Sequence, residues 1–82
     1  MSLKKSLIHA VVDINHEASK YESSIVLITG SRVIDVKSML GLSHSILNSE
    51  EYKLEIYGSD EEAAKQAMRK LFAENGLVVT IN

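Results

Sequence analysis

The chain has 82 residues, a formal net charge of −2 and no cysteine. This length allows one small domain, so we treat residues 1–82 as a single unit. The lack of cysteine excludes disulfide bonds and thiolate-bound zinc, and the slightly acidic balance lacks the basic footprint of a nucleic-acid-binding protein. No apolar run approaches the roughly 20 residues that cross a bilayer. We therefore expect a cytoplasmic protein whose partners are neither nucleic acid nor membrane.

The first predicted element is an amphipathic helix over residues 3–21. Apolar side chains recur every three or four residues, which places them on one face of an α-helix: Leu3, Leu7, Val11, Ile14, Ala18 and Tyr21. The opposite face is polar and carries Lys5, His9, Asp13, His16 and Lys20. Ser2 precedes the helix and is a suitable N-cap. The helix is expected to pack its apolar stripe onto the core.

Two strands and a short helix are predicted next. Ser24–Ile28 and Arg32–Val36 are rich in β-branched side chains, and Gly30 between them can adopt the positive φ that a hairpin turn requires. Ser38 is a good N-cap for a helix over residues 38–47, because its hydroxyl can accept a bond from a free amide of the first turn. This helix carries no charged side chain, so its surface is either buried or used by a partner.

The last part of the chain predicts a strand over residues 52–57, a long helix and a final strand over residues 77–81. Ser59 is the expected N-cap of the long helix, with Glu62 completing a capping box, and Gly76 ends it. Its expected inner face consists of Ala63, Ala67, Met68, Leu71 and Phe72. This element order predicts an α+β open-faced sandwich, an antiparallel sheet with three helices on one face.

Four short motifs resemble the HPr family, which contains the phosphocarrier of the bacterial sugar phosphotransferase system and the catabolite-repression regulator Crh. They are Ala18-Ser19-Lys20-Tyr21, Val36-Lys37-Ser38-Met39-Leu40-Gly41-Leu42, Gly58-Ser59-Asp60-Glu61 and Glu74-Asn75-Gly76-Leu77. The resemblance covers residues 18–77 and implies the HPr-like open-faced β-sandwich. It also implies protein partners, of the HPr-kinase or transcriptional-regulator kind.

The chain departs from the HPr pattern at the phosphoacceptor histidine, which in HPr lies in a Gly-Ile-His-Ala-Arg-Pro motif. Counting back without gaps from Ala18 puts Leu7 at the phosphoacceptor position and His9 in place of the arginine. Aligning His9 instead requires a shift of two residues, about 200° of rotation around the helix. The favoured interpretation is a regulatory or interaction module without histidine phosphotransfer, and the alternative is a divergent phosphocarrier that uses His9.

The resemblance assigns a regulatory role to Ser38. It matches the serine that a dedicated kinase phosphorylates in HPr and Crh, although a purely structural N-cap also explains it. Met39 and Leu40 keep the apolar pair of the family's partner face, and Ser43 replaces a large apolar residue there. We predict partner binding through Met39, Leu40, Leu42 and Ser43.

No pattern in the chain indicates catalysis. His9, Asp13 and His16 recur at i, i+4 and i+7, a spacing that can hold a metal ion, but no further ligand is near in the sequence and a solvated polar face is favoured. A glycine-rich phosphate loop and a serine-triad pattern are both absent. We predict that the protein is not an enzyme and has neither a metal nor a cofactor.

The two ends of the chain also differ from HPr. HPr begins with an edge strand, which is missing here, and this chain continues past Gly76-Leu77 through residues 78–82. An open sheet edge invites aggregation, so we expect the C-terminal segment to take the vacated edge. The alternative is that the segment pairs with a second molecule and forms a homodimer.

Overall fold

The computed structural model describes residues 3–48 and 51–82, and the side chains of residues 8–46 and 51–82. Its elements are α1 (Leu3–Ala18), β1 (Ser24–Thr29), β2 (Arg32–Asp35), α2 (Met39–Asn48), β3 (Tyr52–Tyr57), α3 (Glu61–Glu74) and β4 (Val79–Ile81). The predicted element order and the α+β open-faced sandwich are confirmed. The predicted cap Ser2 and the side chains of Leu3, Lys5 and Leu7 lie outside the described residues.

The sheet is mixed, with strand order β2-β1-β3-β4. β1 pairs antiparallel with β2 and with β3, whereas β4 runs parallel to β3. The prediction of an antiparallel sheet is therefore wrong at β4. The reason is that α3 crosses over between the two strands, and a strand that returns by such a crossover lies parallel to the first.

The C-terminal strand covers the free edge of β3 within the same chain. Tyr52 is in register with Val79, and Leu54 with Ile81. The expectation that this segment takes a sheet edge is confirmed for the single chain. The resulting β3–α3–β4 unit buries the backbone edge of β3, which would otherwise be free to pair with another strand.

The core lies between the sheet and the helices. Inward-facing residues of β1 and β3 alternate with outward-facing ones, as a half-buried sheet requires. The described residues with almost no exposed surface include Ala10, Val11, Ile14, Ala18, Ile25, Leu27, Val36, Leu42, Ile46, Leu54, Ile56, Ala64, Met68 and Phe72. The predicted stripe of α1 is thus buried from Val11 to Ala18, and α1 packs against both other helices.

The start of α3 differs from the predicted capping box. Asp60, not Ser59, is the N-cap residue, and its side chain makes no capping bond. Glu61 Oε1, rather than Glu62, accepts the backbone N–H of Gly58 at 3.0 Å. The buried residues of α3 are Ala64, Met68 and Phe72, so the predicted inner face is correct at Met68 and Phe72. Of the other predicted residues, Ala63 is exposed, and Ala67 and Leu71 are half-buried.

The Asp60 carboxylate is used for a tertiary contact. It accepts the backbone N–H groups of Glu22 and Ser23, at 2.9 and 3.0 Å, and also the Ser23 hydroxyl. These bonds join the loop after α1 to the turn before α3. The turn passes very close, because a Cβ atom on Gly58 would lie 2.6 Å from the Cα of Ser23.

Candidate functional site

Ser38 lies at the N-terminus of α2 with its side chain exposed. Its hydroxyl accepts the backbone N–H of Gly41 at 3.4 Å, and its carbonyl accepts the N–H of Leu42 at 2.9 Å. The predicted N-cap role is confirmed, although the hydroxyl bond is long. The first turn of α2 contains no acidic residue. Ser38 therefore presents a hydroxyl beside the partly positive end of a helix.

The segment that leads into α2 is pinned to α1. The Asn15 side-chain amide donates to the carbonyl oxygens of Val36 and Lys37, at 3.3 and 3.0 Å. Lys37 Nζ in turn donates to the carbonyl oxygen of Tyr21 at 2.7 Å, just after α1 ends. Asp35 Oδ1 accepts the backbone N–H of Lys37 at 2.9 Å. These bonds fix where Ser38 and the first turn of α2 lie relative to α1.

Two of the predicted partner-binding residues are well exposed. Leu40 exposes 83% of its surface and Met39 exposes 44%. Ser43 is half-buried, and its hydroxyl donates to the carbonyl oxygen of Leu40 at 3.2 Å. Leu40 is apolar but is not part of the core, so packing within this chain does not explain why an apolar residue stands at this position.

Leu42 must be removed from the predicted partner surface. It has no exposed surface and belongs to the core. The helical period explains this, because Leu42, Ser45 and Ile46 stand at i, i+3 and i+4 and all three are buried. The Leu47 side chain, next along α2, lies outside the described part of the chain.

The structure adds two residues of α1 that the sequence reasoning missed. Ile8 and Val12 are one turn apart and expose 51% and 46% of their surface. Asn15, which bonds to the segment before α2, follows Val12 by three residues and shares this side of the helix. Ile8 and Val12 therefore lie on the side of α1 that faces the segment leading into α2. Their signal in the sequence was that both are apolar residues outside the predicted stripe.

We call Ile8, Val12, Met39 and Leu40 the α1–α2 apolar surface. Two cavities of the described part, of about 570 and 300 Å³, are lined by other residues. A solvent-exposed apolar surface on two packed helices suits a protein partner better than a small ligand, which would require a concave pocket.

His9 is exposed, in the interior of α1. Its backbone N–H lies beyond the first four helical residues, so it is engaged within the helix and unavailable to a phosphate. Asp13 and His16 are exposed as well. Within residues 3–48 and 51–82, no group of three or more His, Cys, Asp or Glu side chains could hold a metal ion. Nor is any described helix long and apolar enough to cross a bilayer.

Solved structures of two proteins share this fold. The histidine-containing phosphocarrier protein of a Mycoplasma superposes with a TM-score of 0.73 at 20% sequence identity, covering 84% of this chain and 80% of that protein. The catabolite-repression protein Crh of Bacillus subtilis superposes with a TM-score of 0.71 at 22% identity, covering 80% of this chain and 77% of Crh. That Crh structure is an intertwined dimer with a swapped domain.

Comparison at the level of sequence gives the family. No curated protein matches the chain significantly. Residues 9–74 match the family model PTS-HPr, described as the PTS HPr component phosphorylation site. This match spans most of the chain and includes Ser38 and all of α2, and its first residue is His9. The protein is therefore a member of the HPr family.

Proposed function

We propose that this protein is an HPr-family interaction module that binds its partners through the α1–α2 apolar surface and does not carry phosphohistidine. The observation that carries the proposal is the exposure of Leu40, at 83%, two residues after an exposed Ser38. Apolar side chains at the centre of a contact supply much of the binding free energy in protein complexes. Ile8, Val12 and Met39 extend that contact over a second helix.

The position of His9 supports the absence of histidine phosphotransfer. A phosphate at a helix N-terminus is stabilised by free amides and by the helix dipole, and His9 lies too far into α1 to use either. Leu7, which has no group that accepts a phosphate, stands at the position expected for the phosphoacceptor. On this proposal, the chain retains the surface that binds partners and lacks the histidine chemistry of a phosphocarrier.

Ser38 is the proposed regulatory residue of the same surface. A phosphate there adds up to about two negative charges, next to Met39 and Leu40. The free amides of α2 favour such a charge, and no acidic residue of the first turn opposes it. Phosphorylation would therefore leave the helix intact while it converts one side of an apolar surface into an anionic one. The partners we expect are a serine kinase and a transcriptional regulator.

Phosphorylation by the serine kinase of the family tests this proposal. We expect mass spectrometry to find one phosphate, on Ser38, and none in Ser38→Ala. Leu40→Glu should slow the reaction about tenfold or more, because it places a charge in the centre of the contact. Val33→Glu is the matched control, since Val33 is 68% exposed on β2, outside the α1–α2 apolar surface. Equal slowing by both variants, or a wild-type chain that is never modified, would contradict the proposal.

The second candidate function is a divergent phosphocarrier that uses His9. It is supported by the exposed imidazole of His9 and by a family match that begins at this residue. The two functions differ in the chemical nature of the phosphate they carry. Phosphohistidine is lost in acid, whereas phosphoserine is retained, so the stability of the label separates them.

A further inference from the structure

The cavity of about 570 Å³ lies at the end of the sheet where β1 ends and β3 begins. Ile28, Lys53 and Thr80 line it and are register partners in three neighbouring strands, so their side chains share one face of the sheet. The residues that alternate with them, such as Leu27 and Leu54, belong to the core. The cavity therefore opens on the face of the sheet away from the helices, and it is separate from the α1–α2 apolar surface.

Two opposite charges line this cavity. Lys53 and Glu51 are two residues apart, and alternate residues of an extended chain lie about 6.8 Å apart on one face. Of the ion pairs that the described residues form, the one at Lys53 joins its Nζ to Glu55 Oε2, at 3.7 Å. An ion pair that is about half exposed contributes little to stability, and an ammonium group has three N–H donors. Lys53 consequently has donors to offer a ligand beside Glu51.

The remaining walls of the cavity are apolar or small. Ile28 is half-buried on the β1 side, and Val78 is 72% exposed on the β4 side. Thr80 adds a hydroxyl next to Lys53. At the hairpin turn a Cβ atom on Gly30 would meet nothing within 4 Å, so the cavity is open there. Cavities that hold small ligands measure about 300–1,000 Å³ and combine apolar walls with a few polar groups, and this cavity has both properties.

We propose that the cavity binds a free α-amino acid with a branched apolar side chain. Lys53 Nζ and the Thr80 hydroxyl donate to the carboxylate of the ligand, and the Glu51 carboxylate accepts its ammonium group. The ligand's side chain packs between Ile28 and Val78. Two charge-assisted hydrogen bonds of about 2.8 Å each, with the ligand's charged groups between them, span the separation of the two charged residues. This binding goes beyond the proposed function and does not depend on it.

The balance of charge selects a zwitterion over a simple ion. Glu51 and Lys53 contribute one charge of each sign to the lining, and Glu55 stands beside Lys53. A ligand with only a carboxylate is repelled by Glu51 and Glu55, and a ligand with only an ammonium group is repelled by Lys53. An α-amino acid carries both groups on one carbon atom, so it places each beside the opposite charge.

Titration of the isotope-labelled chain with leucine, followed by nuclear magnetic resonance, tests the proposal. Leucine should shift the backbone amide resonances of residues 28–30, 51–53 and 78–80 and leave those of α2 unchanged, with a Kd on the order of 1 mM. Two analogues should bind at least about tenfold more weakly. They are 4-methylpentanoate, which is leucine without its ammonium group, and 3-methylbutylamine, which is leucine without its carboxylate.

Charge variants identify the groups that bind. Lys53→Met should weaken leucine binding about tenfold or more, whereas the matched control Lys70→Met, at an exposed lysine of α3, should leave it unchanged. Glu51→Gln should weaken the binding of leucine and strengthen that of 4-methylpentanoate, because it removes a carboxylate that repels the acid. Three results would each overturn the proposal: no localised shifts with leucine, an equal loss in both lysine variants, or 4-methylpentanoate binding the wild type as tightly as leucine.

Discussion

Leu40 and Leu42, two residues apart on α2, should respond to truncation in opposite ways. Leu42 is fully buried, so Leu42→Ala loses apolar contacts and leaves a cavity, with an expected loss of about 2–5 kcal/mol in the free energy of unfolding. Leu40 is 83% exposed. Full burial of a leucine contributes about 1.5–3 kcal/mol, so the small buried share of Leu40 corresponds to about 0.5 kcal/mol or less.

Thermal and urea unfolding followed by circular dichroism measure both variants. A domain of this size loses about 4–8 °C of Tm for each kcal/mol. Leu42→Ala should therefore melt at least about 8 °C below the wild type, and Leu40→Ala within about 4 °C of it. Binding to the serine kinase should show the reverse order, with Leu40→Ala the weaker binder under conditions where both are folded. A strongly destabilised Leu40→Ala, or a fully stable Leu42→Ala, would refute the assignment of the two faces of α2.

Three other substitutions test the packing around the site. Gly58→Ala should lower the free energy of unfolding by about 1–3 kcal/mol more than Gly30→Ala does. A Cβ atom at Gly58 would collide with Ser23, whereas a Cβ atom at Gly30 meets nothing within 4 Å. Equal urea midpoints of the two variants would contradict this. Ser45→Ala should raise stability by about 1 kcal/mol, since the buried Ser45 hydroxyl has no hydrogen-bond partner among the described residues. A loss of Tm would show that the hydroxyl is satisfied. The Ser23 hydroxyl, followed by the Glu22 amide, lowers the pKa of Asp60 below 3.8. The Asp60 carboxylate therefore stabilises the fold above pH 3.8 and loses this effect as the pH falls through the lowered pKa. The difference in urea midpoint between wild type and Asp60→Asn should therefore shrink as the pH falls below 3.8. A difference that stays constant with pH would argue against the carboxylate contacts.

Local patterns in the sequence predict most of the fold. The three- and four-residue spacing of Val11, Ile14 and Ala18 identifies the buried face of α1, and the alternation over residues 52–57 identifies β3. The direction of β4 was mispredicted because pairing direction depends on the path of α3 over the sheet, which is a tertiary property. The capping box at Ser59 failed for a related reason, since the Asp60 carboxylate binds the distant Glu22 and Ser23 amides.

The candidate site was only partly predictable. Ser38 and the exposed Met39 and Leu40 follow from the resemblance to HPr, and the structure places them together at the start of α2. Leu42 was misplaced because an entirely uncharged helix gives no polar stripe from which to read its outer face. The sequence shows that Ile8 and Val12 are apolar residues outside the predicted stripe, but only the Asn15 bonds show that their side of α1 faces the segment before α2.

The central claim is that the chain binds protein partners but does not carry phosphate on a histidine. Transfer of phosphate from phosphoenolpyruvate is the most direct test of this claim. The chain is incubated with labelled phosphoenolpyruvate and the general phosphotransferase enzyme, beside His9→Ala and a family member that has the phosphoacceptor histidine. We predict no acid-labile label on the wild-type chain while the family member is fully labelled. Acid-labile phosphate on the wild type that disappears in His9→Ala would contradict the account and identify the protein as a phosphocarrier.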